Sequence, residues 1–218
     1  MGSSVRAANM PEYLRRMLLC VFKQLPQRVL WKWEADHMPD VPPNVKLSRW
    51  LPQQDILGHP KIRAFVTHGG LLSMFETIYH GVPIVTIPVF CDHDSNAAKA
   101  HLDGYAIQLD LATLTADNLL RAIRNVIHTS KYKANVKRMQ YLLKDQKETP
   151  LERAVYWTEY VLKHKGAEHL MSPARNLNIF QYYLLDVIAL CLACLILSHY
   201  LLKLSITLVY KYLSGNIG

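Results

Sequence analysis

The chain has 218 residues, half of them apolar, with a formal net charge of +8. That length holds one domain and an appendage, and the apolar half suffices for a real core. The basic balance carries no aromatic-interleaved Lys/Arg stripe and no nucleic-acid motif. It therefore reads as a solvated surface with some preference for an anionic ligand or lipid, and a DNA or RNA partner is not expected.

The first ten residues, MGSSVRAANM, are small and polar. They lack the apolar core, roughly 7–15 residues long, of a secretory signal. Residues 11–24 predict a helix with Pro11 in its first turn and Leu14, Met17, Leu18, Val21 and Phe22 on one face. Residues 28–33 (RVLWKW) predict a strand and residues 34–44 a Pro-rich loop. Residues 45–49 predict a second strand leading into Trp50. Trp31 and Trp33 alternate with charged neighbours and read as packing residues.

Residues 50–96 carry the densest signal. Residues 63–67 (RAFVT) are short, apolar and β-branched, as a buried strand requires. His68, Gly69 and Gly70 follow at once, then a helix over 71–80 that Gly81 stops, then a second strand over 84–87 ended by Pro88. Paired glycines between strand and helix let a ligand approach the backbone, and the helix start offers N–H groups and a positive dipole end to phosphate. Taken alone, HGG is equally well a plain turn that binds nothing. Its neighbours shift that balance. Trp50 can stack on a flat base, Gln53 can donate and accept, and Ser73 lies in the first turn after the glycines. Glu76 sits at i+3 from Ser73, where a carboxylate matches a ribose diol. Asp92, His93, Asp94 and Asn96 crowd the start of the next helix. Ligands of open α/β sheets bind beyond the carboxyl ends of the strands. Base, ribose, diphosphate and a polar head group can thus be read by consecutive turns.

Further on, residues 96–102 continue a helix, 106–109 form a strand and 115–128 a helix with Leu119, Leu120, Ile123 and Ile127 inward. Residues 131–146 form a basic helix and 151–165 an amphipathic one. Residues 184–202 are apolar apart from Asp186, Ser198 and His199, long enough to cross a bilayer core of about 30 Å. A buried core helix is the alternative. Cys191 and Cys194 have CxxC spacing, but inside an apolar run they lack the polar partners a metal or redox site needs. No metal site is expected.

The order WLPQ, THGG, E, HGVP, D, N resembles the donor-binding signature of the UDP-glycosyltransferases, and the match covers nearly the whole chain. The run CDHDSNAAKA is similar to the insect branch. The resemblance implies an α/β fold: the carboxy-terminal Rossmann-like domain of GT-B, with a parallel sheet, followed by a single transmembrane helix. It places the donor domain at 1–170, a juxtamembrane linker at 171–183, the span at 184–204 and a short tail at 205–218. It also implies transfer of a hexose, glucose or glucuronic acid, from a UDP-sugar to a small lipophilic acceptor. The UDP-sugar is a co-substrate, and no cofactor is implied.

Carried over residue by residue, Trp50 stacks on uracil and Leu51 meets its edge through backbone atoms. Gln53 and Glu76 hold the ribose. His68, the Gly70 backbone and Ser73 hold the diphosphate, with His68 able to supply positive charge, and Gly2 and Ser3 join them. Asp92 and His93 grip the sugar, although the family's usual second member is Gln. Leu72 stands where many relatives have Asn, which removes one phosphate contact. The acceptor-activating His, steadied by Asp, belongs to an amino-terminal domain, so no catalytic base is expected in this chain. A truncated partner that associates with full-length glycosyltransferases is the alternative. The family location is the endoplasmic reticulum membrane, single-pass, with a lumenal globular part. Taken as written, the chain is expected instead to insert as a tail anchor with residues 1 to about 180 cytosolic, while a longer form is lumenal.

Overall fold

The computed structural model describes residues 6–35 and 37–215, the last four of these by backbone alone. The chain divides into two compact units, Met1–Lys147 and Glu148–Gly218.

In the first unit, helix α1 (Glu12–Lys23) buries Leu14, Leu18, Leu19, Val21 and Phe22 along one face, as its spacing requires. Strands β1 (Val29–Lys32) and β2 (Val45–Ser48) pair in parallel, with Trp31 opposite Leu47. Trp31 and Trp33 sit two residues apart and share the core face. Both are buried, and their rings meet edge to face, with Trp31 also against Phe22. The loop between these strands is tied by Asn44, whose side-chain amide donates to the carbonyls of Phe22, Leu25 and Gln27.

A short helix, α2 (Gln53–Leu57), follows Trp50. Strands β3 (Phe65–Thr67), β4 (Ile84–Thr86) and β5 (Ala106–Gln108) then form a second parallel sheet in the order β3-β4-β5. Their crossovers are α3 (Leu71–His80) and α4 (His93–Leu102). Helices α5 (Ala116–His128) and α6 (Ser130–Lys144) complete the unit. Successive β4 side chains point to opposite faces. Val85 joins the core made with α1, β1 and α5, whereas Ile84 joins Met74, Ala100 and Val136 from α3, α4 and α6, with Tyr105 from the turn before β5. Helices thus cover both faces of β4, as an all-parallel sheet requires. Ile84 is fully buried. Ile84→Ala is expected to cost about 2–5 kcal/mol, read as an earlier urea transition of the detergent-solubilised chain.

Two local devices hold the helices at their ends. Thr115 and Asn118 form a reciprocal cap on α5, which satisfies two N–H groups at once. From α6, Lys133 donates to the Gly81 carbonyl (2.7 Å) and Asn135 to that of Gly104 (2.9 Å). Gly81 adopts φ +67 and ends α3, the left-handed stop that glycine allows without strain.

In the second unit, α7 (Pro150–Lys163) starts with Pro150 at its first position and a Thr149–Glu152 reciprocal cap. The sequence assigned residues 1–170 to the donor domain, whereas chain contacts group α7 with the segment after it. A one-turn helix, α8 (Ile179–Tyr182), precedes α9 (Leu185–Gly215). Residues Leu185–Lys211 of α9 are long and apolar enough to cross a membrane. The helix runs on past the expected end of the span at 204 because nothing between Leu204 and Ser214 breaks it: that stretch has neither Gly nor Pro.

Candidate functional site

The site residues gather where the chain leaves β2, β3 and β4. After β3, Gly69 turns with φ +93. Its N–H donates to Thr67 Oγ1 (3.3 Å), and its carbonyl accepts from Asn96 Nδ2 (2.9 Å). A Cβ at Gly69 would lie 3.0 Å from the His93 carbonyl oxygen, and one at Gly70 would lie 3.0 Å from His68 Nε2. Gly69 is therefore required by backbone packing and by conformation, whereas a side chain at Gly70 would press on the His68 ring. Gly70 has no side chain with which to cap α3. The helix's own bonding begins with Met74 N–H to the Gly70 carbonyl, which leaves the N–H groups of Leu71, Leu72 and Ser73 at the open end. This arrangement suits an anion.

Beside it, α2 and α3 are joined by a polar network. Gln53 Nε2 donates to Ser73 Oγ (3.0 Å) and to Glu76 Oε2 (2.6 Å), and Gln54 Nε2 donates to Glu76 Oε1 (3.2 Å). Three sequence-selected residues, Gln53, Ser73 and Glu76, thus form one cluster. A carboxylate has about four acceptor positions, so Glu76 keeps capacity for hydroxyl donors while it holds both amides. Trp50 is 68 % exposed at the carboxyl end of β2, its carbonyl accepting from Ser48 Oγ (2.6 Å), and Leu51 beside it is half-buried.

Asp92 and His93, expected side by side on the sugar, part company in the fold. Asp92 is exposed at the start of α4, and its carboxylate accepts from Asn96 (2.8 Å). His93 is 4 % exposed. Its ring lies 4.3 Å from that of His68 and 4.7 Å from that of Phe90, and Nδ1 accepts the Phe90 N–H (3.4 Å). Gly2 and Ser3 lie outside the described residues. Leu72 is 78 % exposed and presents only carbon beside the turn.

His68 is also buried, and burial first, then the neighbouring His93, pushes its pKa down to about 4. The ring is therefore neutral at pH 7, and the positive charge that the sequence suggested is not its resting state. An unfolded histidine titrates near 6.5. Between about pH 6.5 and about 4 the unfolded chain takes up a proton that the folded chain refuses. Stability from this group is complete above that window and falls as pH drops through it. His68→Gln should accordingly lose less melting temperature than wild type between pH 7 and pH 5.

Gln54, Thr67, Gly69 and Asn96 complete the arrangement but were not selected as site residues from sequence. Asn96 stood in the noticed acidic cluster. Gln54 gave no signal because α2 itself was not foreseen. A separate cavity of ≈ 450 Å³ is lined by Leu14, Leu18, Ile87, Phe90 and Leu114 among others, and no selected site residue borders it. Among the described residues no group of three His, Cys, Asp or Glu side chains is placed to hold a metal.

Parallel strands, helices on both faces and a glycine turn at a strand's carboxyl end define a Rossmann-like α/β domain. Solved structures agree on the fold. The glycotransferase of kitacinnamycin superposes with a TM-score of 0.58 at 26 % identity, covering 66 % of this chain and 38 % of that one. The glycosyltransferase VinC, solved in complex with dTDP, gives 0.62 at 21 % identity, covering 72 % and 45 %. The fold is that of the GT-B glycosyltransferases. Residues 1–217 match the family model described as UDP-glucoronosyl and UDP-glucosyl transferase, and the chain belongs to that family. UDP-glucuronosyltransferase 2B13 of Oryctolagus cuniculus is 41 % identical over 215 residues, 99 % of this chain and 40 % of that protein. UDP-glucuronosyltransferase 2B15 of Homo sapiens is 44 % identical over 194 residues, 89 % of this chain and 36 % of that protein. The chain thus spans well under half the length of these relatives.

Proposed function

We propose that this chain is the donor-binding half of a UDP-glycosyltransferase that moves glucose or glucuronic acid from a UDP-sugar to a small lipophilic acceptor. The observation that carries the reading is the Gln53–Ser73–Glu76 network, set beside the glycine turn at the start of α3. Trp50 offers its exposed face to uracil and Leu51 its backbone to the ring edge. Gln53 and Glu76 take the ribose hydroxyls. The Gly70 backbone, Ser73 and His68 take the diphosphate, where fixed donors stabilise negative charge without reorganising. Asp92, exposed after β4, takes a sugar hydroxyl. The acceptor and the base that deprotonates it belong to the part of the relatives that this chain does not match. Helix α9 anchors the protein in the endoplasmic reticulum membrane.

A second reading is a non-catalytic partner of full-length relatives. It is favoured by the exposed apolar side chains of α7, Leu151, Trp157 and Leu162 among them, since such surface marks contact sites. One experiment addresses both. The detergent-solubilised chain is expected to bind UDP yet transfer no sugar from UDP-glucose or UDP-glucuronate until an amino-terminal half from a relative is supplied. Turnover by the isolated chain would place the base within these residues. UDP binding with no rescue, together with retention of the chain on a tagged full-length relative, would favour the partner reading.

A further inference from the structure

We propose that the first turn of α4 is a clamp that sets the His68–Gly70 turn, with Asn96 as the principal positioning residue and His93 as its support. The inference rests on the donor-site reading above, and it assigns these two side chains to the diphosphate end of the site without a sugar contact.

Asn96 Nδ2 donates to the Gly69 carbonyl across 27 residues of sequence, and also to the Asp92 carboxylate. A trans peptide is planar, with its C=O and the following N–H pointing in opposite directions. Holding the Gly69 oxygen against α4 therefore aims the Gly70 N–H away from α4. Asn96 thus chooses the direction of a backbone donor that it never touches. The grip matters because Gly69 stands at φ +93, a conformation that glycine shares with alternatives of similar energy.

His93 closes the same clamp from below. Its N–H donates to the Phe90 carbonyl (3.3 Å) while Nδ1 accepts the Phe90 N–H (3.4 Å), which seals the turn around Cys91 at φ +56. Because Nδ1 accepts, the proton sits on Nε2. The carbonyl of His93 forms the floor under Gly69, and its ring packs on that of His68. The packing of His93 on His68 and Phe90 accounts for a ring that is buried and does not stand beside Asp92.

The test compares UDP with uridine, which lacks the diphosphate, by calorimetry on the detergent-solubilised chain. Asn96→Ala is expected to weaken UDP about tenfold while uridine affinity stays within about twofold. Asn96→Asp, which cannot donate and faces the Gly69 oxygen and Asp92, is expected to weaken UDP at least as much. Equal loss for both ligands would reduce Asn96 to a general structural role, and unchanged UDP affinity would remove it from the site; either result overturns the clamp. Should the variants fail to fold, the wild-type chain supplies the second readout by NMR: the Gly70 amide and the Asn96 side-chain amide should both shift with UDP and not with uridine. Stationary signals during UDP binding overturn the clamp alone. A wild-type chain that binds neither ligand overturns the donor-site reading itself, and the clamp with it.

Discussion

Trp50→Ala and Glu76→Ala should each weaken UDP binding by roughly 1–3 kcal/mol, and for different reasons. The indole of Trp50 is 68 % exposed, so the folded chain makes little use of it. Its removal should leave the melting temperature nearly unchanged, since surface substitutions of this kind stay within about 0.5 kcal/mol, while a base loses its stacking platform. Glu76 is different because it accepts from Gln53 and Gln54. Its truncation leaves Gln54 without its acceptor and Gln53 with Ser73 alone, as well as two ribose hydroxyls without theirs. Glu76→Ala should therefore lower both UDP affinity and the melting temperature. Calorimetry with UDP and thermal melts on the same two variants separate the effects. Unchanged UDP affinity in both would remove the uridine end of the site.

Gly69→Ala should have the larger structural effect. A side chain at φ +93 is strained by about 1–3 kcal/mol. Here the added carbon would also stand 3.0 Å from the His93 carbonyl oxygen, a backbone atom that cannot swing aside. The turn or the start of α4 has to move, and the N–H groups of α3 move with it. The expected result is a lower melting temperature together with loss of measurable UDP binding. Gly58→Ala is the matched control. Its added carbon would meet the end of the His80 ring at 3.2 Å, and its φ is −73, so stability should change by less than about 1 kcal/mol. Equal melting temperatures for the two variants would show that the Gly69 turn is not held as described.

Much of this was legible in the sequence because the signals were short-range. RAFVT, HGG, a helix to Gly81 and the strand after HGVP follow one another without ambiguity. The structure returns β3, the turn, α3 and β4 within two residues of those bounds. The helix expected from residue 115 likewise starts at Thr115, which the structure shows as its cap. Two things escaped. Helix α2 is one and a half turns after a proline, too short for an apolar period to show, so the partnership of Gln54 with Glu76 was invisible. The orientation of His93 also escaped, because sequence adjacency to Asp92 says nothing about which side chain turns inward at a helix start. Only the contact of α4 with the glycine turn decides that. Helix α9 was foreseen from composition, but its far end was not, since the expected stop followed the apolar run while the helix follows the absence of breakers.

The central claim is that uridine diphosphate lies across the ends of β2 and β3, and photolabelling tests it most directly. An azido-uridine analogue of UDP, activated on the detergent-solubilised chain and mapped by mass spectrometry, should label the segment around Trp50 and Leu51, and excess UDP should abolish that label. Labelling confined to the apolar cavity lined by Leu14, Leu18 and Phe90, or labelling that UDP does not compete away, would contradict it.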